Sequence, residues 1–441
     1  MSGRPMHGAA GRRRARRALP ALGVAAALVL TACGGGDSGD ADGGPITLRF
    51  SWWGSDPRHE YTQEIIEIYE SENRSITIEP SFTGFGDYWD RLATEVAGGG
   101  APDVMQQETR YVREYADRGA LLDLSEYAPE IIRTEDLDPA VMETGVVDGG
   151  MYAIPIGINA HAVIADPQVF AEAGVPVPDD TTWTYEDLAA TAAAVSAATP
   201  EGTWGYQMTT AIDTSFEIFA RQRGEALFNP DGDLGFTRET LVEWWGHQLA
   251  VHENGGAPPA AKTVELEAAD IDGSLFSSNQ GAMGTAWTNQ LVALNEVSGR
   301  ELQLLRFPGE GTQQQAGMYF KPAQFWSASA QSEHPEEAAR FIDFLLNDPR
   351  VADLMLSERG LPVNVEQRER ILAKLTPADQ QAAAFLEEIE PDIAPPPPLP
   401  PQGAGEVQGI MQQLNEQVLF GQISVEEAAD AFMSQVNAAT S

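Results

Sequence analysis

The chain holds a single cysteine, Cys33, and only three lysines, Lys262, Lys321 and Lys374, among 441 residues. One cysteine excludes an intramolecular disulfide, so the folded part must be held by ordinary core burial. Its 43% hydrophobic content is ample for that. The shortage of lysine belongs to a wider bias: 66 acidic side chains face 27 basic ones, a formal net charge of −39. Nucleic acid is thereby excluded as a natural partner, because phosphate backbones are bound by clustered Lys and Arg. Such acidity keeps a chain soluble and mildly favours a neutral or cationic ligand, and it does not bear on the fold. Catalytic signatures are missing too. His7, His59, His161, His247, His252 and His334 stand singly, with no His-Glu-x-x-His and no carboxylate at ligand spacing, so neither a metal nor a cofactor is expected. No Gly-x-Ser-x-Gly elbow and no phosphate loop occurs. Among 66 acids, finding two carboxylates is no evidence for glycosidase chemistry.

What is present begins at the N-terminus. Arg12-Arg13-Arg14 and Arg16-Arg17 lead into thirteen uncharged residues, Ala18 to Leu30, and then into small residues before Cys33. This is the three-part layout of an export signal, and a stretch containing Pro20 is too short for a permanent span of roughly 20 apolar residues. Leu30-Thr31-Ala32-Cys33 resembles a bacterial lipoprotein processing box. That resemblance implies export, cleavage before Cys33, and lipid on its sulfur. The protein would then be anchored to the outer face of the cell membrane, since each buried methylene contributes roughly 0.8 kcal/mol and two or more chains hold stably. The other reading is a plain secretory signal, but a chain with one cysteine rarely places it there by accident. Removing residues 1–32 takes away six arginines and no acid, leaving 66 acidic and 21 basic side chains on 409 residues. That length predicts two lobes rather than one core. Residues 33–44, mostly Gly, Asp and Ser, read as a flexible tether.

From Pro45 the pattern becomes regular. Ile46, Leu48 and Phe50 alternate as a strand, a helix follows from about Pro57, and Ile76, Ile78 and Phe82 alternate again. Gly84-Phe85-Gly86 leads into a helix for which Asp87 is the candidate cap, and Pro102-Asp103-Val104-Met105 opens a third strand. This rhythm predicts an α/β sheet. Tyr152 to Ile164 is a long extended stretch. Beyond it, Thr184 with Asp187 and Ser424 with Glu427 have capping-box spacing. Gly281–Ala286 and Leu302–Phe307 read as strands, Thr237–His252 and Glu336–Leu346 as helices. The run Pro395–Pro401 reads as a stiff polyproline loop joining helices inside one lobe.

The aromatic residues carry the functional signal. Trp53, Phe85, Tyr88, Trp287 and Phe325 fall at strand ends or in glycine-bounded turns, where ligands bind in open α/β sheets. A sugar ring has an apolar C–H face and a rim of hydroxyls, so an aromatic plate edged by carboxylates or amides matches its chemistry. Asp87, Glu108, Asn159 and Arg359 are such edge groups. Structural roles compete: Trp53 and Phe85 as plugs of the sheet end, Asp87 as a helix cap, Asn159 as a backbone holder. Trp183, Trp244 and Trp245 are assigned to staple or core. Trp287, following Gly284-Thr285-Ala286, is the strongest candidate of the set for a ligand contact.

Phe50-Ser-Trp-Trp-Gly54, Ala101-Pro-Asp-Val-Met105, Gly119-Ala-Leu-Leu-Asp-Leu124, Tyr152-Ala-Ile-Pro-Ile156, Gly281-Ala-Met-Gly-Thr-Ala-Trp287 and Arg359-Gly-Leu-Pro-Val-Asn364 occur in that order. In order and spacing they resemble the extracellular solute-binding proteins (family 1) of carbohydrate ABC transporters, from about Ile46 onward. The resemblance implies a two-lobe periplasmic-binding-protein-like fold (type II) hinged by crossing segments. It implies a monomer that is not an enzyme and that closes on a sugar, most naturally an oligosaccharide. That monomer would dock on two ABC permease subunits served by a cytoplasmic ATPase. By position, 45–155 and 300–349 would form the N-terminal lobe, and 156–299 and 350–441 the C-terminal lobe. Trp287 would be the stacking tryptophan, and Trp53, Phe85, Asp87 and Glu108 the binding turns of the first lobe, with Glu108 standing where an aspartate is expected. A surface-anchored glycoside hydrolase, or a binder of a non-sugar solute on the same fold, is the alternative.

Overall fold

The alternation of Ile46, Leu48, Phe50 and Trp52 forms the expected first strand, β1 (Ile46–Trp53). Its last four residues are buried on both faces, so neighbouring tryptophans enter different clusters. Trp52 joins Phe50 and Phe341, whereas Trp53 joins Tyr88 and Trp89. Burial on both faces is what helices covering both sides of a sheet produce. The computed structural model describes residues 44–440 except 55, 208–211 and 269–270. The expected signal, 1–32, and all but the last residue of the expected tether lie outside the described residues.

Eleven further strands follow among the described residues: β2 (Ile76–Thr83), β3 (Val104–Gln107), β4 (Val146–Val147), β5 (Gly150–Met151), β6 (Ile154–Asn159), β7 (His161–Ala165), β8 (Trp204–Gln207), β9 (Gly281–Trp287), β10 (Gln303–Leu305), β11 (Lys321–Ala328) and β12 (Leu361–Pro362). They build a six-stranded sheet of order β12-β6-β11-β3-β1-β2 and a four-stranded sheet of order β10-β7-β9-β8, with β4 and β5 as a separate hairpin. In the first sheet β1 runs parallel to β2 and β3, while β11, β6 and β12 are added antiparallel. This is the two-lobe α/β fold, each sheet with its helices forming one lobe.

The extended stretch from Tyr152 to Ile164 is the first crossing. It contributes β6 to the first sheet and, after Ala160 alone, β7 to the second. The chain returns between β10 and β11 and passes over again after the helix Val365–Ile371, which packs on β12. The next helix, Pro377–Ile389, packs against Leu291–Ser298 of the second lobe. Backbone pairing moves the expected lobe boundaries. Leu361 and Pro362, expected in the second lobe with 350–441, pair with Ile158 and Gly157 of the first sheet. Gln303–Leu305, expected in the first lobe with 300–349, pair with β7 in the second. Gly157 permits the first of these pairings, because a Cβ there would stand 2.5 Å from the carbonyl oxygen of Arg359.

Both capping boxes form, Thr184 with Asp187 and Ser424 with Glu427. Trp183, Trp244 and Trp245 are core residues, as expected. Asp87 is not the cap of its helix: Phe85–Ala97 starts after Gly84 with no side-chain cap, and Asp87 is exposed in the first turn. The polyproline run also departs from expectation. The helices on its two sides, Pro377–Ile389 and Val407–Leu419, pack on the second lobe, yet Leu399 between them is buried in the first lobe's aromatic cluster.

Candidate functional site

Trp287 ends β9 opposite His161, the first residue of β7, so the antiparallel register places the indole beside the crossing point of the lobes. Two bonds fix it there. The Thr288 amide donates to the Ala160 carbonyl at 3.0 Å, and the Ala160 amide donates to Thr288 Oγ1 at 3.2 Å. The indole is half-buried, with the His161 ring 4.9 Å away and the Lys321 ammonium 4.9 Å from its centroid. Around it Asn159, Asn289, Lys321, Ala323 and Gln324 line a cavity enclosing about 440 Å³, open mouth included.

Lys321 opens β11 and borders a second cavity of about 770 Å³, open mouth included. One wall is the start of the first-lobe helix Thr109–Asp117, another the second-lobe helix Ile212–Arg221, and the third is Pro396–Pro400. Arg110, Lys321, Asp213 and Glu217 all line this space. Burial pushes the carboxyls of Asp213 and Glu217 up from their ordinary range. Tyr319 donates to Glu217 at 2.6 Å. Glu108 lies between the cations: it caps the Thr109–Asp117 helix by accepting from the Arg110 amide at 2.9 Å, and Lys321 donates to it at 3.4 Å. Burial alone would raise the Glu108 carboxyl, but Lys321, Arg110 and that amide outweigh it and hold it below the ordinary range.

His161 is a buried neutral base behind the indole. Burial, reinforced by the Lys321 charge, pushes its imidazole down to about 3. An unfolded histidine titrates near about 6.5, so acid protonates the unfolded chain first. The contribution is fully present above about pH 6.5 and lost as pH falls toward 3, at roughly 1.4 kcal/mol per unit. Between pH 7 and pH 5 the wild type should therefore lose roughly 2 kcal/mol more stability than His161→Gln, read from urea midpoints. Equal losses in the two proteins would show that His161 does not carry this penalty.

The nine residues expected at the ligand divide into four groups. Asn159 and Trp287 line the smaller cavity together. Glu108 stands beside the larger one, tied to Lys321, while Trp53, Phe85 and Asp87 gather at the C-terminal end of β1, with Phe85 half exposed and its ring 5.5 Å from that of Trp53. Tyr88, Phe325 and Arg359 are buried and line neither cavity. Tyr88 donates to the Gln106 carbonyl at 2.7 Å, and Phe325 lies in the same aromatic cluster because its β11 register faces Gln107 and Pro155. Arg359 acts one residue away: it donates to Gln324 Oε1 at 3.0 Å, and Gln324 lines the Trp287 cavity. Residues not anticipated are Arg110, Asp213, Glu217, Tyr319, Lys321, Asn289 and Gln324. Lys321 had a usable signal, being one of three lysines and the only one at a strand start. Asp213 and Glu217 sit four apart on one helix face, a spacing without weight among 66 acids.

Among the described residues no group of three His, Cys, Asp or Glu side chains could hold a metal, and no helix is long and apolar enough to cross a membrane. A model of the bacterial extracellular solute-binding protein family matches residues 64–383. The solved structure of an extracellular solute-binding protein family 1 from Alicyclobacillus acidocaldarius is 30% identical with a TM-score of 0.72, covering 90% of this chain and 98% of that one. An uncharacterized lipoprotein from the oleD 5′ region of Streptomyces antibioticus is 25% identical over 395 residues, 84% of each chain. The diacetylchitobiose binding protein DasA of Streptomyces coelicolor is 22% identical over 361 residues, 79% of this chain and 82% of its own. With a family model covering most of the chain and two sheets meeting at a lined cleft, this is a solute-binding protein of the ABC-transporter type, a member of the bacterial extracellular solute-binding protein family.

Proposed function

We propose that this protein captures a sugar, of oligosaccharide size, between its two lobes and delivers it to two membrane permeases served by a cytoplasmic ATPase. The observation that carries the reading is the half-buried Trp287 indole ringed by the amides of Asn159, Asn289 and Gln324. An indole face suits the C–H face of a pyranose, and side-chain amides donate to and accept from its hydroxyls. Phe85 resting on Trp53 is the proposed counterpart in the first lobe, with Glu108 and Asp87 as edge groups. A relative of similar length named for diacetylchitobiose supports a saccharide ligand. Ligand held by both lobes favours the closed arrangement by its differential affinity, and the closed surface is what permeases would recognise.

A hydrolase would need carboxylates flanking a scissile bond. Asp213 and Glu217 instead share one helix and one side of the larger cavity. Incubation with oligosaccharides is expected to give stoichiometric binding and no product; product release would support the hydrolase reading.

The lipid anchor belongs to the same proposal. It rests on Leu30-Thr31-Ala32-Cys33 and on the likeness to a lipoprotein. Cys33→Ala is expected to move a binding-competent protein from the membrane fraction to the medium. If the variant stays with the membrane on fractionation, Cys33 is not the anchor.

A further inference from the structure

Leu399 is the one residue that is not proline between 395 and 401. It belongs to a segment whose flanking helices pack on the second lobe, yet it is 7% exposed and buried with Val112, Tyr115, Met105 and Phe325 of the first lobe. Each end of the segment is tied. Arg221, on the second-lobe helix Ile212–Arg221, donates to the Pro395 carbonyl, and Arg113 of the first lobe donates to the Leu399 carbonyl at 3.4 Å. Between those ties Pro396–Pro398 pass along the larger cavity.

Consecutive prolines have fixed φ, and each residue before a proline is confined to extended conformations, so the segment follows a polyproline path. That path rises about 3.1 Å per residue, close to the roughly 3.3–3.6 Å of a fully extended chain. The strap therefore cannot stretch. The lobes separate along this wall only if Leu399 leaves its seat or Pro395 leaves Arg221.

We propose that residues 395–401 are a latch across the ligand cleft, with Leu399 as its catch, and that seating of Leu399 biases the lobes toward the closed arrangement and so sets ligand affinity. The consequence for affinity rests on the cleft being the ligand site; the mechanical claim does not. A catch present only when the lobes are near makes the free protein spend more time in the binding-competent state, which lowers the apparent Kd.

The test uses the full chain carrying Cys33→Ala, with and without Leu399→Ala, in small-angle X-ray scattering without ligand. Leu399→Ala is expected to enlarge the radius of gyration while a cooperative melt is retained. Pro396→Gly, Pro397→Gly and Pro398→Gly combined keep the catch but slacken the strap; this variant is expected to enlarge the radius as well, and it decides the matter if Leu399→Ala fails to fold. Unchanged radii in the folded variants overturn the latch. Titration with a mono- to hexasaccharide panel that includes diacetylchitobiose is expected to show Leu399→Ala weakened roughly tenfold, as when about a tenth of the molecules remain competent. If the wild type binds no member of the panel, the sugar reading fails while scattering still decides the latch. Unaltered affinity beside an enlarged radius would overturn the claim that the catch sets affinity.

Discussion

Trp287→Ala is expected to weaken saccharide binding by roughly 100-fold or more, about 2.7 kcal/mol, with little change in thermal stability. An aromatic anchor at the centre of a desolvated pocket is where truncation costs most, and Trp287 is the one aromatic side chain lining the smaller cavity. The small effect on stability follows from its half exposure and from the backbone around it. The bonds joining Thr288 to Ala160 do not involve the indole, and neither does the β7 to β9 pairing. Trp53→Ala makes the contrast. Trp53 is 7% exposed and its ring meets those of Phe85, Tyr88 and Trp89 at 5.1–5.5 Å, so that variant should lose stability together with binding. Calorimetric titration beside a melting curve separates the two outcomes, and retained affinity in Trp287→Ala would remove the indole from the site.

Asp166→Ala is expected to cost about 3–5 kcal/mol of stability, because it strands a partner and removes a cap at once. Asp166 follows β7 directly and is fully buried. One carboxylate oxygen accepts from the amides of Gln168 and Val169 at 2.9 and 3.4 Å, capping the helix Pro167–Ala173. The other accepts from Arg300 Nη1 at 2.6 Å. Among the described residues, the carboxylate left to the Arg300 guanidinium is that of Glu172, at 3.8 Å and exposed. Asp166→Asn keeps an acceptor for the cap but not the charge, so its urea midpoint should fall between those of wild type and Asp166→Ala. Three equal midpoints would contradict the assignment of this pair as a main tie between β7 and the helices around it.

Local pattern carried much of the fold. Strand alternation in Ile46–Phe50, the two capping boxes and the Trp244–Trp245 core face were legible because each depends on residues within a few positions. The aromatic signal singled out Trp287 for the same reason, since a large indole at the end of a small-residue strand has no helix face to cover, and Asn159, expected as an edge group, lines the same cavity. What escaped depends on pairing between distant segments. Whether β12 joins the first sheet is decided by Gly157 admitting the backbone of Arg359 and Gly360, about two hundred residues apart in sequence. Phe325 stands in a strand as aromatic as the binding turns, and only its register between Gln107 and Pro155 buries it. Arg110, Asp213 and Lys321 meet because three elements converge on one cavity, and no spacing in the chain encodes that. The stiffness of the polyproline run is legible in its composition, but the target of its single leucine lies in another lobe.

The proposed function turns on uptake of a sugar in the cleft beside Trp287. Its most direct test is calorimetric titration of the chain without residues 1–32 and carrying Cys33→Ala, with a panel of mono- and oligosaccharides, each also followed for hydrolysis. One-to-one binding of at least one saccharide is expected, lost in Trp287→Ala, with the sugar recovered intact. Binding that survives Trp287→Ala, release of shortened products, or no binding across the panel would contradict it.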